Sequence, residues 1–216
     1  TLEEAAAYSG IGTGKLRAIV SKPGFDCTDI AKYLTSADAP LLNRALTAYS
    51  VGSVFKPCVA AAGIEKGLGS LSFNCTGSID FDGRAYHCHN RSGHGVLDLG
   101  GALSESCNTY FYRFAAAAGG SAVYEKAAAC SFGSAFEIAP GYKNAAGKLP
   151  DADSLNALSA LANLSIGQGK LLLSPVAMLT LYCAIASDGG YYIPTVVEKQ
   201  ISGGSVTRFE QSKKTV

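Results

Sequence analysis

Residues 171–186 are almost entirely apolar, and this run constrains the fold more than any other stretch of the chain. Ser174, Pro175 and Thr180 interrupt it, which leaves it short of the ~20 consecutive apolar residues that a bilayer span requires. Ser174 suits a helix cap, Pro175 suits a first helical position, where a missing N–H costs little, and Asp188-Gly189-Gly190 supplies the stop. The run therefore reads as a helix buried in a globular core. With 48% hydrophobic and 16% charged residues over 216 positions, the chain has the material for that core and reads as one domain or most of one, with no internal repeat. A net charge of +1 and no basic run longer than Lys213-Lys214 exclude a nucleic-acid or anionic-membrane footprint. Thr1 opens on Leu-Glu-Glu-Ala rather than on a basic and then apolar leader, so an anchor, if one exists, is expected outside this sequence.

Around that helix the pattern is mixed. Gly12-Thr13-Gly14-Lys15 reads as a hairpin turn, followed by a central strand at Ala18-Ile19-Val20; it is no phosphate loop, because Leu16 and Ser9 stand where Ser/Thr and Gly are needed. Residues 21–43 read as a loop with one short helical piece, and residues 53–66 as a helix stopped by Gly67 that tolerates Pro57 only in its first turn. Residues 70–95 form an irregular or stranded excursion. Further helices are expected over 97–105, 109–118 and 122–130, a loop over 133–154, a tight turn at Ser165-Ile166-Gly167-Gln168-Gly169 and β-prone sequence over 191–207.

Ser53 and Lys56 stand one helical turn apart on the same face. A serine hydroxyl needs an adjacent base to act as a nucleophile, and a lysine desolvated among apolar neighbours can supply one, while the helix N-terminus offers amides to an oxyanion. The same pair also suits a capping serine beside a solvated lysine. Ser106-Cys107-Asn108 lies between two helices, but Ser72-Phe73-Asn74 and Ser154-Leu155-Asn156 share its pattern. Seven cysteines, at 27, 58, 75, 88, 107, 130 and 183, cannot all pair with one another. Cys58, Cys130 and Cys183 sit in helical runs and read as small buried hydrophobes. Cys75, Cys88, His94 and Cys107 supply a Cys₃His set of the kind that holds structural zinc, without the C-x-x-C spacing of a finger. A Cys75–Cys88 disulfide and plain thiols are the alternatives, and His87 and His89 read as surface residues.

Tyr49-Ser50-Val51-Gly52-Ser53-Val54-Phe55-Lys56-Pro57, preceded by Pro40-Leu41-Leu42-Asn43-Arg44-Ala45, resembles the nucleophile region of class B penicillin-binding proteins. Ser21-Lys22-Pro23-Gly24-Phe25-Asp26 is similar to that family's segment after its first hairpin, Ser106-Cys107-Asn108-Thr109-Tyr110-Phe111-Tyr112 to its second motif, and Ser165-Ile166-Gly167-Gln168-Gly169 with Ser174-Pro175 to a later landmark, in the family's order. The resemblance implies an α+β fold of the β-lactamase/transpeptidase type, an antiparallel sheet flanked by helices. It implies that Ser53 attacks the D-Ala-D-Ala amide of a peptidoglycan stem peptide, that Lys56 takes its proton, and that Ser106 relays a proton to the leaving amine. It further implies that Asn108 holds Lys56 and the substrate amide, that Gln168 and Gly169 lie at the substrate, and that β-lactams trap Ser53. In some class B relatives the positions of Cys75, Cys88, His94 and Cys107 hold zinc, and the chemistry itself needs no cofactor. The family's K-T-G motif is absent, Lys213-Lys214-Thr215 is not its equivalent, and the C-terminal strands are expected to be missing, so residues 1–216 would be a partial domain. The resemblance also implies a membrane anchor, work on the extracytoplasmic face and a lipid-II polymerase partner. A β-lactamase or β-lactam sensor of the same fold, or a non-catalytic scaffold, are the rival readings.

Overall fold

A computed structural model describes residues 5–10, 12–81, 83–209 and 211–216. The leader expectation at Thr1 concerns residues outside that set. The chain divides into two compact units that alternate along the sequence, one made of residues 50–129 and 149–172, the other of residues 1–49, 130–148 and 173–216.

The first unit is mainly helical. A 3₁₀ turn at Gly52–Phe55 runs into α1 (Lys56–Glu65), with Pro57 in the first turn as expected and Gly67 in the left-handed conformation after the end. The helix expected from residue 97 begins later, as α2 (Leu99–Ser104), because the Asp98 carboxylate accepts from the Gly101 N–H at 2.7 Å and caps it there. Residues Gly95–Leu97 instead form a strand. Then come α3 (Asn108–Ala118), α4 (Gly120–Ala129) and α5 (Leu158–Ser165). The last of these was not expected, although Leu158, Leu161 and Leu164 recur at helical spacing. Helix α3 packs between α1 and α5. Gly63 makes the first of these contacts possible, since a Cβ there would overlap the Phe114 ring. The excursion over 70–95 resolves into Phe73–Cys75 paired antiparallel with Gly95–Leu97, and Ser78–Phe81 paired with Arg84–His87.

The second unit is built on α6 (Pro175–Ile185), the helix anticipated from the apolar run. Ser174 caps it by accepting from Ala177 N–H at 3.1 Å, and Val176, Ala177, Met178, Thr180, Leu181, Cys183 and Ala184 are buried. It packs on the strands Ala5–Ser9 and Gly190–Tyr192. The hairpin Ala5–Ser9/Leu16–Ser21 forms as expected. Among the described residues Leu16–Ser21 has a ladder on one side only, and Val20 is exposed, so this strand is not central here. Further antiparallel pairs are Glu137–Ala139 with Tyr142–Lys143, Gly190–Tyr192 with Lys213–Thr215, and Lys199–Ser202 with Ser205–Arg208. The first of these falls in the stretch expected to be loop, and the second includes the Lys-Thr pair near the C-terminus. Lys214 donates to Ser131 Oγ at 2.8 Å, which ties it to the unit that does not contain Ser53.

Candidate active site and metal centre

All the residues singled out for chemistry fall within the helical unit. Ser53 is exposed on the 3₁₀ turn that opens α1, and among the described residues its hydroxyl has no hydrogen-bond partner. Lys56, one turn on, is buried. Its ammonium donates to the Ser106 carbonyl, to Ser106 Oγ at 2.9 Å and to Asn108 Oδ1 at 2.8 Å. The expected grouping of Lys56, Ser106 and Asn108 is therefore present, whereas the direct Ser53–Lys56 hydrogen bond that the spacing allows is not made.

Burial lowers Lys56 to about 8, against the pull of the Cys88 and Cys107 thiols in the other direction. The Phe111 ring lies 5.5 Å from Nζ and favours the cation. Ser106 holds its carbonyl toward Lys56 from a left-handed backbone, φ 49°, a conformation that costs a non-glycine residue about 1–2 kcal/mol. The turn works because Cys107 N–H bonds the Ala102 carbonyl at 2.9 Å and α3 starts at once at Asn108.

The turn after α5 closes on the residues just before Ser53. Gly52 N–H donates to the Gly167 carbonyl at 2.9 Å and Ser50 Oγ donates to the same oxygen at 3.2 Å. Gly167 has φ 71°, and a Cβ on it would overlap the Gly52 backbone. Gln168 and Gly169 follow, both exposed, with the Gln168 side chain beside Gly52. The motif around Gly167 was visible in the sequence, but its contact with Gly52 was not.

Cys75, Cys88, His94 and Cys107 converge, with all four ligand atoms within 4.8 Å of one another. Sγ of Cys75 and of Cys88 lie 3.5 and 3.6 Å from His94 Nδ1, and Cys88 Sγ lies 3.9 Å from Cys107 Sγ. A tetrahedral zinc with Zn–S near 2.3 Å and Zn–N near 2.05 Å has edges of about 3.8 Å between sulfurs and about 3.5 Å between sulfur and nitrogen. The cluster has that size, and its three cysteines are free thiols rather than the disulfide weighed above. Although burial opposes it, hydrogen bonds from the Thr109 hydroxyl and from the Gly77 and His94 N–H groups bring Cys75 down to about 6, whereas burial pushes Cys107 up to about 11. The ladder that sets Cys75 opposite Gly95 brings His94 to the first cysteine, and Gly77 and Gly93 permit the tight turns, since a Cβ on either would overlap a backbone carbonyl. His87 and His89 are exposed, as expected, and Cys58, Cys130 and Cys183 are buried.

The family profile "Penicillin binding protein transpeptidase domain" matches residues 11–216. The chain is 26% identical over 205 residues to the peptidoglycan D,D-transpeptidase MrdA of Acinetobacter baumannii, covering 86% of this chain and 30% of that protein. It is 28% identical over 198 residues to the peptidoglycan D,D-transpeptidase PbpA of Mycobacterium tuberculosis, covering 82% of this chain and 39% of that protein. The crystal structure of penicillin-binding protein 3 of Mycobacterium tuberculosis, complexed with ampicillin, superposes with a TM-score of 0.85 at 29% identity, over 98% of this chain and 47% of that one. The chain thus spans between 30% and 39% of the length of these two curated relatives.

Proposed function

The chain belongs to the penicillin-binding protein transpeptidase family, of the class B kind, and from that membership we propose that it carries the acylation centre of a peptidoglycan D,D-transpeptidase. One observation carries the reading: a buried lysine ammonium shared among Ser106 and Asn108, one turn from an exposed serine at a helix start. Ser53 Oγ attacks the carbonyl of the penultimate D-Ala of a stem peptide, Lys56 takes its proton, and the helix-start amides face the oxyanion. A charged Lys56 spends its three N–H groups on Ser106 and Asn108. A neutral one keeps two and gains a lone pair, so the group that holds the second motif becomes the base on losing a proton. Ser106 then relays that proton to the departing D-Ala amine, and an amine from a neighbouring stem releases the acyl group from Ser53 as a cross-link. Asn108 orients Lys56 and the substrate amide, with Gln168 and Gly169 beside the acyl chain. A β-lactam presents its strained amide to the same oxygen and stays bound.

The substrate is extracytoplasmic, so the site works on the outer face of the membrane next to a lipid-II polymerase. No helix among the described residues is long and apolar enough to cross a membrane. The test is labelling of the full-length protein by a fluorescent penicillin together with a cross-linking assay on stem-peptide substrate. Rapid hydrolytic turnover of the penicillin would make the protein a β-lactamase, and absence of labelling would make it a scaffold.

The lowered Lys56 gives a pH dependence with a definite sign. The base form is the neutral amine, so with a pKa of about 8 its fraction, and the acylation rate with it, should rise about fivefold from pH 7 to pH 8 and level off above. Stopped-flow acylation at constant ionic strength measures this, and a flat or falling profile would remove Lys56 from the role of base.

Cys75, Cys88, His94 and Cys107 fit one zinc ion by donor type and by separation. When bound, the ion supplies a fixed point for the Cys107 sulfur; four protein ligands leave no position for a reacting water. Protein purified without chelator should contain close to one zinc per chain, and Cys88→Ser and His94→Ala should each lose most of it. A parent protein free of metal would refute the site.

A further inference from the structure

We propose that Cys88 and Cys107 are an oxidation site through which peroxide switches acylation off, a reading that rests on the roles given above to Ser53, Lys56, Ser106 and Asn108. The two sulfurs lie 3.9 Å apart, as thiols, on segments that also belong to the metal cluster. Cys75, Cys88 and Cys107 are buried, and half-buried His94 is the one member of the cluster that reaches the surface, so a small oxidant arrives beside it.

The chemistry is balanced by the oxidant alone. A thiolate of the pair attacks hydrogen peroxide; an S–O bond forms, the O–O bond breaks, and the departing hydroxide is protonated to water, leaving a sulfenic acid. The second thiol attacks that sulfur and gives its proton to the departing hydroxide, so that the S–S bond forms, the S–O bond breaks, and a second water leaves. Two thiols and one peroxide become one disulfide and two waters, with two electrons passing to the peroxide. Zinc held by the cluster would oppose the reaction by occupying both sulfurs, and the disulfide would leave it only the Cys75 sulfur and the His94 imidazole.

What makes the pair a switch is where Cys107 stands. Its neighbours on either side are the two residues that hold the Lys56 ammonium. A disulfide requires S–S near 2.05 Å, so the gap must close by about 1.9 Å. Cys107 has little slack to absorb this through its side chain alone. Ser106 before it is already in a left-handed conformation, the Cys107 N–H is bonded to the Ala102 carbonyl, and α3 begins immediately after Cys107. The movement therefore passes to Ser106 and Asn108, and a displacement near 1 Å in a positioned catalytic group costs about a hundredfold in rate.

The experiment treats the full-length, zinc-loaded protein with hydrogen peroxide. It reads the cross-linked peptides by mass spectrometry, the zinc freed to a chromogenic chelator, and the rate of labelling by fluorescent penicillin. Expected are a Cys88–Cys107 link, release of the metal in step with it, a fall of about a hundredfold in labelling, and recovery on adding dithiothreitol with zinc. Cys88→Ser should lose the response to peroxide relative to its own untreated rate. A Cys75–Cys88 link, no link, or a Cys88–Cys107 link with labelling unchanged would overturn the proposal, and the mapping on the parent protein decides this even if Cys88→Ser does not fold. Protein that holds no zinc beforehand refutes the metal reading alone, because the link and the labelling still decide the switch. Untreated protein that penicillin does not label removes the acylation reading, and the switch with it.

Discussion

Ser53→Ala in the full-length protein should eliminate the penicillin adduct, a fall of at least about 10³ in acylation rate, because no other hydroxyl stands at the helix start with a lysine one turn on. The substitution is clean. Ser53 is exposed and its hydroxyl has no partner among the described residues, so stability should change by no more than about 0.5 kcal/mol, the usual range for a surface position. Intact mass after penicillin treatment, with peptide mapping of the parent, measures the effect. An adduct that survives in Ser53→Ala, or one that maps to Ser106, would reject Ser53 as the nucleophile.

Gly167→Ala should be nearly as damaging, though Gly167 touches no substrate in this reading. Its φ of 71° costs an alanine about 1 kcal/mol or more, and the new methyl meets the Gly52 backbone, which cannot step aside by changing rotamer. Gly52 precedes Ser53 in the chain, so the displacement is delivered to the nucleophile. We expect roughly a hundredfold loss in acylation rate along with a lower urea midpoint. Gly119→Ala separates the two effects, since Gly119 also has positive φ but open space around it. It should lose stability and acylate normally. Equal losses of acylation in the two variants would show that the clash with Gly52 is not what matters.

Local signals carried much of the reading, and distance in sequence marks where they failed. Ser174-Pro175 and the apolar run fixed α6, and Ser53, Lys56 and Pro57 fixed the start of α1, because caps, proline and helical spacing act within a turn or two. Asp98 was an equally local cap, and overlooking it put the start of α2 too early. The grouping of Lys56 with Ser106 and Asn108 was accessible only through family resemblance, since 50 and 52 residues separate the partners. That Lys56 makes no direct hydrogen bond to Ser53 was not legible at all. It depends on where the turn at Ser106 and the start of α3 at Asn108 place their acceptors and on the Phe111 face, not on the spacing within S-x-x-K. The metal ligands could be recognised by type, but their convergence rests on the register between Phe73–Cys75 and Gly95–Leu97, which short three-residue strands do not announce. The Gly52–Gly167 contact lies beyond any local rule for the same reason.

The alternation of the two units along the chain bears on when this site can exist during synthesis. Ser53, Lys56, Ser106 and Asn108 are made before residues 149–172, which belong to the same unit and whose Gly167 turn bonds Gly52. At about 5–20 residues per second, the ribosome needs roughly 6–23 s to travel from Ser53 to that turn. Throughout that interval Lys56 and the thiols of Cys75, Cys88 and Cys107 are outside their finished unit, open to nascent-chain chaperones and to whatever metal or oxidant the compartment of synthesis supplies. Closure of the turn that carries Ser53 thus waits for the arrival of α5 rather than for the helix that begins at Lys56.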